Sequence, residues 1–346
     1  MIAFINKLEK NGVLTKEEFS KVFANFTAED AAYAAQRARK ITDSIYGKDI
    51  YIRGLIEFTS YCKNDCHYCG LQKSNHRTDR YRLTEKEILD CCKEGYDLGF
   101  RTFVLQGGED PYFTDDKIIA LIKKIKFQHP DCALTLSIGE KSRESYQAYW
   151  DAGADRYLLR HETANAIHYG KLHPMEMSLE NRKRCLLDLK DIGYQVGCGF
   201  MVGSPGQTPE TLADDFLFTK ELHPEMIGIG PFIPHPDTIY AKEPRGTLEE
   251  TLFLISMLRL MEKDVLLPAT TALATIHPKG RELGMEAGAN VVMPNLSPQE
   301  VRKKYDLYEG KVCTGEEAAE CRNCLEQRVN SLGYRTVVSR GDVKRI

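Results

Sequence analysis

The sequence predicts an α/β protein whose body, residues 49–300, is a closed (β/α)8 TIM-type barrel, and three observations carry that prediction. Eight short apolar runs recur, each followed by a polar or Gly-containing loop and a helical pattern. The runs are continuously apolar rather than alternating, as expected of strands covered on both faces, so the sheet is parallel. The loop after the first run carries three cysteines, where a doubly wound open sheet would place a Gly-rich phosphate loop. A length of 346 residues accommodates one such core with extensions at both ends.

Residues 1–48, with "TKEEFSKVFANFTAEDAAYAAQRARKITDSIYG", predict an N-terminal helical extension. The first strand is "YIRGLIEF", and the helix after its loop is "LTEKEILDCCKEGYDLG", where Thr84 and Glu87 form a capping box. "FRTFVLQG", "CALTLSIG", "DRYLLRHE" and "QVGCGFMVG" are the next four strands. "QTPETLADDFLFTKEL" is a helix with Thr208 as N-cap and Pro209 at its first position. "EMIGIGPF" follows, then "TLEETLFLISMLRLM", which repeats the box with Thr247 and Glu250. "LLPATTAL" and "NVVMPNL" complete the eight, and residues 301–346 predict a C-terminal helical cap.

Barrels of this architecture place their chemistry where strands end and the following loops begin. Taken in order, those positions hold Cys62, Cys66 and Cys69 with Tyr68, then "QGGEDP", "SIGE", "RHETAN", "MVGSPGQT", "GPFIPHPDT", "PATTA" and "MPNLSP". Hydrophobic content of 42%, charged content of 28% and a formal charge of -3 describe a soluble globular chain and give no reason to expect nucleic acid or an anionic membrane as partner. The first twenty residues carry Lys and Glu with no signal-type apolar core, and no later run reaches membrane-span length. The expected compartment is the cytoplasm, whose reducing thiol pool disfavours structural disulfides.

The eleven cysteines therefore raise the question of metals or reactive thiols. Cys91, Cys92, Cys132, Cys185 and Cys198 fall inside apolar helix or strand patterns and read as small buried hydrophobes. The other six form two groups, Cys62, Cys66 and Cys69 in C-x3-C-x2-C spacing, and Cys313, Cys321 and Cys324. A closed zinc site needs four ligands, and His67 inside the first group has its room taken by its neighbours. Short-spaced thiolates hold iron-sulfur clusters, and three of them on a cubic 4Fe-4S cluster leave one iron open to a substrate or cofactor.

C-x3-C-x-aromatic-C after the first barrel strand, here Cys62, Cys66, Tyr68 and Cys69, resembles the signature of the radical S-adenosylmethionine (SAM) superfamily. The resemblance implies a barrel of the radical SAM class, a 4Fe-4S cluster on the three cysteines, SAM on the open iron, and reductive cleavage to a 5'-deoxyadenosyl radical. It further implies that Gln106, Gly107, Gly108 and Glu109 receive the methionine ammonium, and that Gly228, Ile229 and Gly230 lie along the adenine with Tyr68 near it. Glu162 would hold polar cofactor groups and Arg182 the methionine carboxylate, which a guanidinium fork suits.

The phrases "RYRLTEKEI", "TFVLQGGEDP", "AGADRYLLRHETAN", "MVGSPGQT", "IGIGPFIPHPDT", "PATTA" and "GANVVMPN" together resemble the HydE family of FeFe-hydrogenase maturases. That resemblance implies a role in H-cluster assembly on a small cysteine-bound iron carbonyl-cyanide complex, with the sister maturases HydG and HydF as partners and a ferredoxin or flavodoxin as electron donor. Arg160, Thr270, Thr271, Met293 and Tyr305 would face the substrate, while Gly107 stands where some relatives carry a small hydroxyl residue. Cys313, Cys321 and Cys324 match the place of an accessory Fe-S cluster, 2Fe-2S or 4Fe-4S, remote from the active site. Methylornithine synthase and biotin synthase share this plan and are the alternatives within the superfamily. A non-catalytic Fe-S carrier or scaffold is the alternative from another class, and the adenosine-side motifs speak against it.

Overall fold

The computed structural model describes residues 1–312 and 322–346, so Cys313 and Cys321 of the second thiol group lie outside the described residues. Helices α1 (Ile2–Asn11), α2 (Lys16–Asn25) and α3 (Ala28–Tyr46) come first. The body runs β1 (Asp49–Ile52), β2 (Gly54–Thr59), α4 (Glu85–Asp97), β3 (Thr102–Gly107), α5 (Asp115–Gln128), β4 (Ala133–Ser137), α6 (Arg143–Ala152) and β5 (Arg156–Leu158). It continues through α7 (Ala166–Leu172), α8 (Leu179–Ile192), β6 (Gln195–Cys198), β7 (Met201–Val202), α9 (Pro209–Leu222), β8 (Met226–Ile227) and β9 (Gly230–Pro231). Then come α10 (Leu248–Met261), α11 (Thr271–Ile276), α12 (Gly280–Glu286) and β10 (Val291–Val292), followed by α13 (Gln299–Arg302), α14 (Arg322–Ser331) and β11 (Arg335–Val337).

The ring closes as the eight runs require. β2, β3, β4, β5, β6 and β8 pair in parallel in that order. Met226 bridges to Leu266, Pro268 bridges to Val291, and β10 pairs with β1, all in parallel sense. The seventh run contributes bridges rather than a ladder, because Pro268 has no N–H to donate. The chain then enters α11 at Thr271, so the "TAL" of "LLPATTAL" is helical rather than extended. The fifth and sixth runs are each broken in the middle where Gly199 meets Gly228. A β-carbon on Gly199 would stand 2.0 Å from the Gly228 carbonyl oxygen, so the close approach requires glycine.

The start signals hold with one difference. Thr84 and Glu87 make the reciprocal box, and Thr208 caps α9 with Pro209 at the first position. At α10 the Thr247 hydroxyl accepts the Glu250 N–H at 3.2 Å, but the half of the box returning from the Glu250 side chain does not form. The N-terminal helices pack outside the barrel: Phe19 and Phe23 of α2 meet Phe216 of α9, and α3 lies along α10. All five cysteines read as buried hydrophobes are buried.

The tail adds to its helices a strand and a plug. β11 pairs in parallel with β1, and the residues beyond it cross the N-terminal ends of the strands. There the fully buried Arg156 meets Asp342 at 2.5 Å and donates to Thr102 and the Arg340 carbonyl. Among the described residues no helix is long and apolar enough to cross a membrane.

Candidate functional site

β2 ends at Thr59, and the chain makes a wide loop over residues 60–80 that carries the first thiol group. The loop's own return holds it in shape. Arg80 donates to the carbonyls of Ser60, Leu71, Gln72 and Asn75, while Asn75 and Thr78 both donate to the Gly70 carbonyl. These contacts satisfy backbone oxygens that an irregular loop leaves without a ladder. Cys62, Cys66 and Cys69 are free, half-buried thiols. The Cys66 sulfur lies 3.8 Å from that of Met177, and the His67 ring is turned away onto the Lys171 carbonyl at 2.9 Å. Among the described residues no three His, Cys, Asp or Glu side chains are grouped as they would be around a single metal ion, this triad included.

Burial pushes all three thiol pKa values up, that of Cys69 to about 12, and the neighbouring sulfurs add to the rise at Cys66 and Cys69. Charge on any one of these sulfurs is disfavoured by burial and, at Cys66 and Cys69, by the other sulfurs, so a positively charged centre would stabilise them as thiolates, and the donor set fits an iron-sulfur cluster.

Around the thiols stand the other rim segments. Gly108 lies directly against the cysteine loop, where a β-carbon would come 2.2 Å from the Tyr61 carbonyl oxygen and 2.7 Å from the Cys62 β-carbon. Glu109 accepts from the Glu140 backbone N–H at 3.0 Å and pairs with Lys63 at 3.1 Å. Asp110 is buried and fastens the segment from below through Thr59 and a bidentate contact with Arg82. Burial alone would raise the Asp110 pKa, but the hydrogen bonds from Arg82 and Thr59 outweigh it and lower it.

Tyr68 packs against Leu172, Met201 and Phe232, with its ring edge-on to His173 at 5.6 Å. Glu162, Cys66, Cys69 and Arg182 all act electrostatically on its hydroxyl. Glu162 has φ 62°, rare for a residue with a side chain, and its carboxylate meets Arg160 at 2.8 Å. Arg182 is buried rather than a surface residue and is engaged by Glu140 at 2.5 Å and by the Arg160 carbonyl. The triad, Tyr68, Glu109, Glu162 and Arg182 thus meet on one rim, with Glu140 of "SIGE" as a partner the sequence does not assign. Gly230 lies close under Thr270, where a β-carbon would be 2.9 Å from its hydroxyl oxygen.

Inside the barrel, Tyr305 is buried with its hydroxyl beside Gln106. The Thr270 hydroxyl and the Arg160 Nε are buried without a hydrogen-bond partner among the described residues, which makes them groups for a bound molecule to satisfy. Thr271 is half-buried near Arg281. Met293, half-buried just after β10, packs against the cluster formed by Tyr46, Tyr51, Met226, Leu266 and Val291. Sequence reading does not single out Glu57, Asn295 or Lys311, which form a buried polar cluster in the same interior. The signal for Glu57 was a lone carboxylate in an otherwise apolar strand. Of the second thiol group, Cys324 is half-buried on α14.

Comparison with known proteins places residues 56–219 on the model of the radical SAM superfamily. The chain is 46% identical over 309 residues, 89% of its length and 88% of the relative's, to the "[FeFe] hydrogenase maturase subunit HydE" of Thermotoga maritima. It is 31% identical to the 3-methylornithine synthase of Methanosarcina barkeri over 75% of this chain and 73% of that one. Among solved structures, that of methylornithine synthase (PylB) superposes with a TM-score of 0.83 at 25% identity, covering 96% of this chain and 97% of that one.

Proposed function

Since this chain belongs to the radical SAM superfamily, as an enzyme of HydE-like type, we propose that it acts in FeFe-hydrogenase maturation on a small cysteine-bound iron carbonyl-cyanide precursor of the H-cluster. The observation that carries the reading is the convergence of three free thiols with Tyr68, Glu109, Glu162 and Arg182 on one rim, above a polar barrel interior. The identity of 46% to the maturase against 31% to the methylornithine synthase sets the choice between the two chemistries.

The family's 4Fe-4S cluster and SAM, when bound, supply reductive cleavage to a 5'-deoxyadenosyl radical. Cys62, Cys66 and Cys69 would hold the cluster. Glu109, beside the backbone of Gln106, Gly107 and Gly108, offers acceptors for the methionine ammonium. Arg182 would take the methionine carboxylate, and its pair with Glu140 fixes the direction of its fork. Tyr68 with Gly228, Ile229 and Gly230 would line the adenine, and Glu162 the cofactor's polar groups. Arg160, Thr270, Thr271 and Tyr305 present cationic and hydroxyl groups suited to an anionic complex bearing a carboxylate. Cys313, Cys321 and Cys324 would hold a second Fe-S cluster that takes no part in cleavage. HydG supplies the precursor and HydF receives the product in this reading, a ferredoxin or flavodoxin gives the electron, and the setting is the cytoplasm.

The test is anaerobic reconstitution with iron and sulfide, then SAM, dithionite and either a synthetic cysteine-bound iron carbonyl-cyanide complex or lysine. 5'-Deoxyadenosine should form in step with a change in the complex's CO and CN infrared bands, and each of Cys62→Ala, Cys66→Ala and Cys69→Ala should abolish it. Conversion of lysine to 3-methylornithine, with the iron complex untouched, would overturn the proposal.

A further inference from the structure

Residues 303–312 run across the C-terminal mouth of the barrel and are stitched to it from several sides. The Leu307 carbonyl accepts the Gly70 N–H of the cysteine loop at 2.9 Å, and the Glu309 N–H donates to the Pro234 carbonyl at 3.1 Å. Asp306 meets the His235 Nε2 at 3.1 Å, and Lys304 meets Asp79 at 2.9 Å. The Val312 N–H donates to the Thr275 hydroxyl on α11. One contact reaches inward: Lys311, 7% exposed, meets Glu57 on β2, 1% exposed, at 2.5 Å.

That pair is a hub for the chamber wall. The Lys311 ammonium also donates to the Tyr305 carbonyl at 3.0 Å and stands 4.7 Å from the centre of the Tyr305 ring. The second Glu57 oxygen accepts from Asn295 at 2.9 Å, and the Glu57 N–H donates to the Ser297 hydroxyl. Tyr308, between Lys311 and Tyr305 in the chain, lies beside Thr275 and within electrostatic reach of Glu57, Arg281 and Arg160. The two strap tyrosines therefore line the same interior as Arg160, and one buried ion pair sets their depth. Both ions sit out of water, so either one alone is strongly disfavoured and the strap has one seated position.

We propose that Glu57 and Lys311 are positioning residues for the reaction: their ion pair seats residues 303–312 over the mouth and so fixes Tyr305 and Tyr308 as the wall against which the substrate is held. Among the described residues no hydrogen bond or ion pair joins the pair to the thiol triad, Glu109, Glu162 or Arg182, and Glu57 meets Gln106 only as its backbone neighbour across β2 and β3, so the pair acts on substrate capture and on shielding of the chamber. This assignment rests on the proposed maturation chemistry for its substrate, but its first readout does not.

The experiment compares the reconstituted parent with Lys311→Met, Glu57→Gln and the Glu57→Gln/Lys311→Met double variant. Hydrogen–deuterium exchange of residues 303–312 should rise at least tenfold in all three, with 4Fe-4S absorbance and dithionite-driven cleavage of SAM alone within twofold of the parent. With the synthetic iron complex, KM should rise at least tenfold, and more 5'-deoxyadenosine should form per complex converted. The double variant removes both charges and recovers the thermal stability lost in the single ones, yet keeps the raised KM, which separates positioning from a merely structural role. Unchanged exchange of the strap, or a double variant with the parent's KM, overturns the assignment. If the parent leaves the iron complex untouched, the maturation reading fails while the exchange measurement still judges the strap.

Discussion

Gly108 shows how one missing side chain can hold a site together. A β-carbon there would lie 2.2 Å from the Tyr61 carbonyl oxygen and 2.7 Å from the Cys62 β-carbon, both far inside contact distance. Gly139 does the same for Glu109: at φ +80° it leaves room for a carboxylate that a β-carbon would strike at 2.3 Å. The "GGE" segment is thus glycine-rich partly so that it can seat against the cysteine loop. The expectation for Gly108→Ala is a folded protein whose first thiol is displaced, with 4Fe-4S absorbance after reconstitution reduced at least fivefold and a melting temperature lowered by only a few degrees, since overpacking at one site costs about 1–3 kcal/mol. Parent-like absorbance would show that the loop yields freely. Arg182 carries a related lesson: its place near the thiols is legible from the motif, but its partner Glu140 is not, because the two are brought together only by barrel closure.

At the scale of the element, the cysteine loop is a scaffold without regular structure, and Arg80 is its central tie. One guanidinium serves four carbonyls of the loop, on Ser60, Leu71, Gln72 and Asn75. Each such bond contributes about 1 kcal/mol, and a carbonyl left unpaired in a buried place costs about 1–3 kcal/mol. Arg80→Met should therefore free the loop locally: chelator-driven loss of iron from the reconstituted protein should be at least tenfold faster, while far-UV circular dichroism stays as in the parent. Loss rates equal to the parent's would assign the loop's order to Asn75 and Thr78 instead. The elements themselves were largely legible, because apolar runs and Thr-led caps act over a few residues and leave a local signature. What escaped the sequence reading depends on long-range pairing. "LLPATTAL" loses its strand character at Pro268 and turns helical at Thr271, and Glu57 finds Lys311 more than two hundred positions away. The triad has a spacing that the sequence displays directly; the buried pair that seats the mouth has no spacing to read.

For the whole molecule, the barrel's two ends divide function from stability, and the plug that follows β11 serves the second. At the N-terminal end of the strands, the fully buried Arg156 and the nearly buried Arg53 lie close enough to repel, and burial lowers the pKa of each guanidinium. Asp342 faces both: it meets Arg156 at 2.5 Å and accepts from Gln195 at 2.8 Å. Burial alone would raise the Asp342 pKa, but Arg156, Gln195 and Arg340 outweigh it and bring it from 3.8 to about 2. A carboxylate with a depressed folded-state pKa contributes stability that is present above the unfolded value near 4 and lost as pH falls toward 2. Asp342 is 41% exposed, so solvent screening trims this contribution to about 1 kcal/mol, or about 2 °C for a chain of this size. Asp342→Asn should lower the melting temperature by about that amount at pH 7 and flatten the fall in stability between pH 4 and pH 2. Cleavage of SAM by the folded variant should match the parent, because the thiols lie at the opposite end of the barrel. A variant that melts like the parent at pH 7 yet cleaves SAM more slowly would reverse the division, making the plug part of the catalytic machinery.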